Sequence, residues 1–304
     1  MQDAWNINYK ELNDDGTKND LLTKSGIDKL RYMPVFFYSS SFAQIVVFQI
    51  IHTFMGKQVD FEDEYITLSD GCKTCLSWKH NPERSKKGTV IVVPGGVGGA
   101  DHWYNAIVAV EAIENGYNAV IVNHRDWYDQ KITSPKLHSE VSHDDFKDAI
   151  DYIHAKFPED KLYAYGHSTG ANIISLYMNE VSKNNDENIL SGAICLNPMF
   201  DKTVSYKYFD NYAFGFISQA LINGYKNRIL EQEHMMPQME KEYGIDFKDV
   251  FSENCTTCHQ FMDKFVAKYS GYSNAFEYYE AVKIIDKIKN FKTKTLFITS
   301  TDDI

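Results

Sequence analysis

From residue 60 onward, short apolar runs alternate with segments in which apolar residues recur every three or four positions. Continuous apolar runs are typical of strands buried on both faces, whereas the wider spacing is typical of helices with one buried face. The pattern predicts strands at 64–68, 74–78, 89–93, 118–122, 162–165, 193–196 and 295–298, and helices at 106–114, 144–156 and 171–181. Such alternation predicts an α/β fold with a mostly parallel sheet covered by helices on both sides.

One segment departs from this alternation. Residues from about 201 to about 290 have helical character and contain no clear buried strand. An insertion of this size between two strands of a sheet is expected to lie over the site as a cap. A helical elaboration without any gating role is the alternative, and the sequence alone leaves both open.

Composition narrows the class of protein. The 304 residues are 43 % hydrophobic and 24 % charged, which suits a large globular domain with a sizeable core. The net charge of −11 repels phosphate backbones, so nucleic acid is not an expected partner. The five cysteines are too few for a disulfide framework in a chain of this length, and they are interpreted as reduced thiols.

The N-terminal residues bear on localisation. The first twenty are polar and lack the apolar core of a secretory signal, so secretion is not expected. Residues 33–54 form an apolar stretch, but Pro34, three serines, two glutamines and His52 interrupt it. A spanning helix needs about 20 predominantly apolar residues. We therefore predict a buried or interfacial segment here, and a cytoplasmic or membrane-associated protein.

The pentapeptide Gly166-His167-Ser168-Thr169-Gly170 lies between a predicted strand and a predicted helix. This context is that of a nucleophile elbow, in which a strained turn presents a serine hydroxyl and small neighbours let two backbones approach. The following helix directs its N-terminal amides at the same point and so favours an anion there. Ser168 is the candidate nucleophile. Adjacent side chains diverge in such a turn, so His167 is not expected to be its base.

A serine that attacks a carbonyl group needs hydrogen-bond donors for the oxyanion that develops. The backbone amide of Thr169 is the first expected donor. The second is expected from the glycine-rich loop at 94–99, with the amide of Gly96 preferred over that of Val97. A phosphate-binding loop is the alternative for these glycines, but no Gly-Lys-Ser/Thr follows them and no helix begins at once.

The nucleophile also needs an acid and a base. The chain order that accompanies a nucleophile elbow is serine, acid, histidine, which places the acid after the helical insertion. Asp302 and Asp303 follow the last predicted strand and are the two candidates. No histidine follows them, so the base, a last strand and a last helix are expected beyond residue 304. Recruitment of His102 or His259 as the base is the alternative.

Further motifs occur in a fixed order along the chain. They are Tyr32-Met33-Pro34, Ser41-Phe42-Ala43-Gln44, Asp70-Gly71, Leu76-Ser77-Trp78, Asn123-His124-Arg125, Thr133-Ser134-Pro135-Lys136-Leu137, Gly170-Ala171-Asn172-Ile173, Phe261-Met262-Asp263-Lys264-Phe265, Gly271-Tyr272 and Tyr278-Tyr279. Together they resemble the YheT-like branch of the α/β-hydrolase domain family, which includes eukaryotic membrane-associated lipases and yeast medium-chain ester synthase/esterases. The resemblance implies an N-terminal extension at 1–30 and an α/β-hydrolase domain at 31–304, with its cap at about 201–290.

The resemblance also implies an activity. It points to a serine-dependent carboxylic ester hydrolase for acylglycerol or phospholipid-type esters of medium-chain acids, with no cofactor and no metal. It favours Asp303 over Asp302 as the acid and is compatible with peripheral association with membranes. Acyl transfer to an alcohol and a catalytically inactive protein with the same fold are the alternatives. Two departures from the family pattern are Asp126 in place of a glycine and Gly96 where leucine is common.

Two cysteine motifs suggest other chemistry and are not favoured. Cys255-Thr256-Thr257-Cys258-His259 matches the attachment motif of c-type haem, but the chain shows no export signal to a haem-loading compartment. The same cysteines with Cys72 and Cys75 would make a four-cysteine zinc site. Strand alternation, however, places Cys72 and Cys75 on opposite faces of the predicted hairpin.

Overall fold

A computed structural model describes residues 59–82, 87–96, 98–126, 130–185 and 188–300. The apolar stretch at 33–54, Val97 and the two candidate acids, Asp302 and Asp303, lie outside these ranges. No helix within the described ranges is long and apolar enough to cross a bilayer.

A seven-stranded sheet forms the centre of the structure, with the strand order β1-β2-β4-β3-β5-β6-β7. The strands are β1 Glu62–Thr67, β2 Lys73–Lys79, β3 Thr89–Val93, β4 Asn118–Val122, β5 Leu162–His167, β6 Leu190–Leu196 and β7 Thr295–Ile298. β2 is antiparallel to both β1 and β4, and all other neighbours are parallel. The predicted α/β fold with a mostly parallel sheet is confirmed.

Three helices alternate with the central strands. They are α1 Trp103–Glu114, α2 His143–Lys156 and α3 Thr169–Asn184. α2 buries the apolar face that its spacing predicts, and α3 is buried along most of its length. Side chains from β3, β4 and β5 pack with these two helices into one core, which includes Ile91, Val120, Ala164, Ile150 and Ile174. This packing fixes the carboxyl ends of the parallel strands, where the candidate nucleophile lies.

Between β6 and β7 the chain forms a set of helices over residues 202–282, here termed the inserted helices. They are α4 Lys202–Asn211, α5 Phe216–Glu231, α6 Met236–Tyr243, α7 Phe247–Val250, α8 Cys258–Phe261, α9 Ala267–Tyr269 and α10 Ala275–Val282, with a π-helical turn at Met262–Val266. Short 3₁₀ turns occur at Tyr212–Gly215, Glu233–Met235 and Ile288–Asn290. Polar residues cap several of these helices. Asp201 accepts a hydrogen bond from the Thr203 amide, and Thr257 and Gln260 form a capping box.

The inserted helices share an apolar core with the sheet-bearing part of the chain. Ile222, Phe261 and Tyr278 are fully buried in this core, and Leu137 and Leu176 from outside the insertion belong to it as well. All described residues belong to a single compact unit. The inserted helices are therefore packed on the sheet-bearing part, and the surface between them encloses a cavity.

Candidate active site

Ser168 occupies the turn between β5 and α3. Its φ of 51° and ψ of −121° lie outside the regions that L-residues favour. Strain of this kind persists where the surrounding structure holds a residue in place, and it clusters at functional sites. The amide of Ser168 donates a hydrogen bond of 2.9 Å to the carbonyl of Leu196, at the end of β6. The arrangement is the strand–turn–helix geometry of a nucleophile elbow.

Gly166 and Gly170 make this turn sterically feasible. A Cβ atom on Gly166 would lie 2.6 Å from the carbonyl carbon of Gly170. A Cβ atom on Gly170 would lie 2.2 Å from the carbonyl oxygen of Val93. Both positions are occupied by backbone atoms, so only glycine lets α3 pack this closely against β3 and β5.

The structure brings the two predicted oxyanion residues, Thr169 and Gly96, to the same cavity as Ser168. Thr169 is the first residue of α3, so its amide has no acceptor within the helix, and the positive end of the helix dipole faces the site. A Cβ atom on Gly96 would lie only 3.0 Å from Oγ1 of Thr169. The predicted acid, Asp303, lies outside the described residues and is not placed.

The cavity in front of Ser168 has a volume of about 140 Å³. Its wall is mainly apolar, and most of it comes from the inserted helices, including Phe209, Leu221, Met262 and Tyr279. The sheet thus supplies the serine, and the inserted helices supply most of the surface that a substrate would contact.

An ion pair between Lys202 and Glu140 lies in the wall of this cavity. Both side chains are buried, and Tyr278 donates a hydrogen bond to the second oxygen of the Glu140 carboxylate. Burial alone would raise the pKa of Glu140, but Lys202 and then Tyr278 lower it, so the carboxylate stays charged. Since Glu140 precedes α2 and Lys202 begins α4, the pair joins the inserted helices to the sheet-bearing part.

Three histidines hold the loop at 94–96, which follows β3. His124 Nε2 lies 3.1 Å and 3.0 Å from the carbonyl oxygens of the first two loop residues. His138 Nε2 lies 3.0 Å from the third carbonyl oxygen, and His167 Nε2 accepts the middle amide at 3.1 Å. The peptide groups that precede and follow Gly96 are therefore held in one orientation.

His138 lies between two hydrogen-bond acceptors. Its Nε2 faces the carbonyl of Gly96, and its Nδ1 lies 2.6 Å from Oδ1 of Asp126. Each ring nitrogen of His138 therefore faces an oxygen that accepts hydrogen bonds, and this fixes the plane of the ring. Burial alone would raise the pKa of Asp126, but the charge and hydrogen bond of His138 lower it. Asp126, which departs from the family pattern, thus positions the ring that holds Gly96.

His124 and His167 are neutral in this arrangement. Burial and then the charge of His138 lower the pKa of His124 to about 3. Burial and then His102 lower the pKa of His167 to about 4. In the unfolded chain both rings titrate near 6.5. Below that pH the unfolded chain binds more protons than the folded protein, so the free energy of unfolding decreases as pH falls.

We expect the free energy of unfolding to decrease by about 1.4 kcal/mol per pH unit for each of these two rings, between roughly pH 6 and pH 4.5. Urea denaturation at several pH values measures this slope. His167→Asn, which removes one of the two rings, is expected to reduce the slope by about half. A free energy of unfolding that stays constant over this interval would contradict the assignment of two neutral rings.

A family model for the serine aminopeptidases of family S33 (Hydrolase_4) matches residues 84–303, which is more than half of the chain. The chain belongs to this family. The elbow, the loop at 94–96 and the inserted helices all lie within the matched residues.

Curated relatives of this chain include three proteins from a yeast, a conifer and a mammal. Monoacylglycerol lipase of Saccharomyces cerevisiae is 28 % identical over 71 % of this chain and 48 % of its own. Embryogenesis-associated protein EMB8 of Picea glauca is 25 % identical, over 79 % and 53 % respectively. Monoacylglycerol lipase ABHD2 of Mus musculus is 21 % identical, over 79 % and 58 %. The chain spans about half the length of the curated relatives it matches.

Among solved structures, an esterase of Pyrococcus furiosus, Pf2001, superposes with a TM-score of 0.41 at 20 % identity, over 55 % of this chain and 61 % of its own. A similarity at this level assigns no function to this chain.

None of the histidines in the described part of the chain hydrogen-bonds to Ser168. His102, one alternative base, pairs with Asp101 at 3.0 Å. His259, the other, accepts or donates a hydrogen bond of 3.2 Å with the Tyr279 hydroxyl in an aromatic cluster. The structure therefore brings neither of them to the nucleophile.

The described residues contain one group of side chains with the spacing of metal ligands. One group there could hold an ion, namely His143 with Asp144 and Glu180 near the surface, but His143 already bonds Glu180. The four motif cysteines, which all lie in the described ranges, do not converge on a common point. Burial raises the pKa of Cys75 to about 12 and that of Cys258 to about 11, so both are thiols rather than thiolate ligands.

The sequence predictions missed the three histidines that hold the loop at 94–96 and the Lys202–Glu140 pair. For two of these histidines, their position at the end of a predicted strand was a usable sequence signal. His124 follows β4 and His167 ends β5, and the carboxyl ends of parallel strands meet at one edge of the sheet. Lys202 and Glu140 are 62 residues apart and carry no local pattern that would connect them.

Proposed function

We propose that this protein is a serine hydrolase that cleaves carboxylic esters of acyl chains through an acyl-enzyme. The observation that carries the proposal is the position of Ser168, strained at an elbow and facing a cavity that Gly96 and Thr169 also line. A strained serine at the N-terminus of a helix, with backbone amides around it, is the arrangement that acyl transfer requires.

In the proposed reaction, Oγ of Ser168 attacks the ester carbonyl carbon. The negative charge moves to the carbonyl oxygen, where the amides of Gly96 and Thr169 hold it. A histidine outside the described residues takes the serine proton, and Asp303, with Asp302 as the alternative, orients that ring. The same proton passes to the departing alcohol, and water then releases the acyl group as a carboxylic acid.

The cavity supports an acyl ester as the substrate. Its mainly apolar wall suits an acyl chain, and the monoacylglycerol lipases among the relatives are named for acylglycerols. The family is named for aminopeptidases, so a peptide substrate is the alternative. Such a substrate carries an ammonium group, which an acidic side chain would have to bind. Glu140 is the acidic residue that lines the described cavity, and its charge is already neutralised by Lys202. We therefore favour acyl esters, with medium-chain acylglycerols or phospholipid-type esters first.

Two finer assignments belong to the same proposal. The ordered motifs between residues 30 and 304 support membership of the YheT-like branch within the S33 family. Peripheral association with membranes would bring the cavity to lipid substrates. Flotation of the purified protein with phospholipid vesicles measures that association directly.

Covalent labelling tests the proposed function. We expect a fluorophosphonate probe to label the full-length gene product and Ser168→Ala to abolish the labelling, because the probe captures only an activated serine. Ser205→Ala is the matched control, since Ser205 lines the same cavity without lying at the elbow, and its labelling should persist. A folded wild-type protein that takes no label would favour the inactive alternative, and labelling that survives Ser168→Ala would overturn the assignment of the nucleophile.

Product analysis separates hydrolysis from acyl transfer. With a medium-chain monoacylglycerol as substrate and ethanol added, a hydrolase yields mainly the free acid and a transferase mainly the ethyl ester. We expect the free acid to dominate.

A further inference from the structure

The hydroxyl of Tyr225 lies directly over Gly96. Tyr225 belongs to α5 of the inserted helices and lines the cavity together with Ser168. A Cβ atom on Gly96 would lie 2.4 Å from Oη of Tyr225 and 3.0 Å from Oγ1 of Thr169. The phenol oxygen therefore lies beside Gly96, whose amide we assign to the oxyanion, and the side chain of Thr169 is close to the same point.

The ring of Tyr225 is held so that its hydroxyl has one direction. It is stacked with His138 at 6.2 Å and with Phe261 at 5.6 Å between ring centroids, with interplanar angles of 27° in both cases. His138 is itself fixed by Asp126 and by the carbonyl of Gly96. The same histidine thus positions the loop amide and the phenol ring.

The Tyr225 hydroxyl differs from those of two neighbouring tyrosines in its hydrogen bonding. Within the described ranges no hydrogen bond to Oη of Tyr225 is formed, although its neighbour Tyr269 donates to the carbonyl of His138 and Tyr278 donates to Glu140. Burial, and then the negative charge of Glu140, raise the pKa of Tyr225 far above its ordinary value, so the hydroxyl keeps its proton. The Tyr225 hydroxyl is therefore a hydrogen-bond donor in the cavity wall, with no acceptor among the described residues.

We propose that the Tyr225 hydroxyl is a third oxyanion donor, delivered to the site by the inserted helices. The proposal rests on the proposed function, since it assigns Tyr225 to the oxyanion that forms when Ser168 attacks. The hydroxyl donates one hydrogen bond to the negatively charged oxygen and transfers no proton. Its contribution appears only when that charge has developed, which is the condition for raising kcat rather than substrate affinity.

The proposal explains why residue 96 is a glycine. Any side chain at this position would meet the phenol oxygen, because Cβ and Oη would be 2.4 Å apart. A glycine therefore keeps the space through which Tyr225 reaches the reacting oxygen.

Tyr225→Phe tests the proposal. We expect kcat for a monoacylglycerol to fall on the order of 100-fold with KM nearly unchanged, since one oxyanion donor is lost. A trifluoromethyl ketone, which forms an oxyanion on Ser168, should lose affinity by a similar factor, whereas the fatty-acid product should bind as before. Tyr208→Phe is the control, because Tyr208 is an exposed tyrosine of α4, and its kcat should equal that of wild type.

The outcomes separate the two proposals. If wild type takes the fluorophosphonate probe on Ser168 but Tyr225→Phe keeps full kcat, Tyr225 is no oxyanion donor and the proposed function stands. If wild type itself takes no probe, the proposed function fails first. Gly96→Ala supplies an independent check, because its Cβ displaces the phenol oxygen. Combined with Tyr225→Phe, it should reduce kcat by less than the product of the two single effects, and fully multiplicative effects would contradict a shared donor.

Discussion

Replacing Gly170 by alanine is expected to abolish the native fold. The new Cβ would lie 2.2 Å from the carbonyl oxygen of Val93 and 2.5 Å from that of Pro94. Both are backbone atoms at the end of β3, in the middle of the sheet, so the clash can be relieved only by separating α3 from the sheet. We expect a loss of more than about 4 kcal/mol, a large part of the total stability of an ordinary domain.

The soluble yield and the thermal unfolding midpoint of Gly170→Ala measure this effect. Gly224→Ala is the matched control, because Gly224 lies inside α5 and a Cβ there meets no atom within 4 Å. That variant should be more stable than wild type by about 0.5–1 kcal/mol, since alanine favours the helix. If Gly170→Ala unfolds within about 3 °C of wild type, the close packing of α3 on β3 is wrong.

The second large effect concerns the buried ion pair in the cavity wall. Lys202→Met leaves the Glu140 carboxylate buried with only the Tyr278 hydroxyl as a partner. Removing one member of a buried pair is strongly destabilising, and we expect a loss of about 3–5 kcal/mol near neutral pH. Without Lys202, burial raises the pKa of Glu140, so the carboxyl is protonated as pH falls. The difference in stability between variant and wild type should therefore shrink toward acidic pH.

Urea denaturation of single and double variants checks this expectation. Glu140→Gln combined with Lys202→Met removes both charges and should recover much of the loss. Lys147→Met is the surface control, because Lys147 and Asp151 form an exposed pair one helical turn apart and should contribute less than about 1 kcal/mol. A loss for Lys202→Met no larger than that for Lys147→Met would show that Glu140 does not depend on its partner.

The sequence predicted the central strands well because their physics is local. The runs at 89–93 and 118–122 match β3 and β4 at both ends, since a strand buried on both faces is apolar throughout. Strands with an exposed face were predicted too short. β6 begins at Leu190 rather than at 193, and it includes the exposed Ser191, which breaks the apolar run. The inserted helices were predicted only as helical, because short helices depend on caps and tertiary packing more than on periodicity.

In the candidate site, too, the sequence predicted the features that have a local signature and missed those that depend on distant residues. Ser168 and its glycines have a local signature, since the strained turn needs small residues at fixed spacing. The contacts that complete the site join distant residues. His138 reaches Gly96 across 42 positions, and Tyr278 reaches Glu140 across 138. No window of sequence contains both partners of such a contact, so only the folded chain shows them.

The order in which the chain is synthesised has a consequence for when its chemistry can begin. Tyr279, part of the cavity wall, leaves the ribosome 111 residues after Ser168. At about 5–20 residues per second, Ser168 is synthesised roughly 5–20 s before the last part of its cavity wall. Lys202, the cation that pairs with Glu140, is synthesised within that interval, 34 residues after Ser168. The proposed acid, Asp303, is synthesised later still, so the proposed ester cleavage can begin only after the inserted helices have been translated.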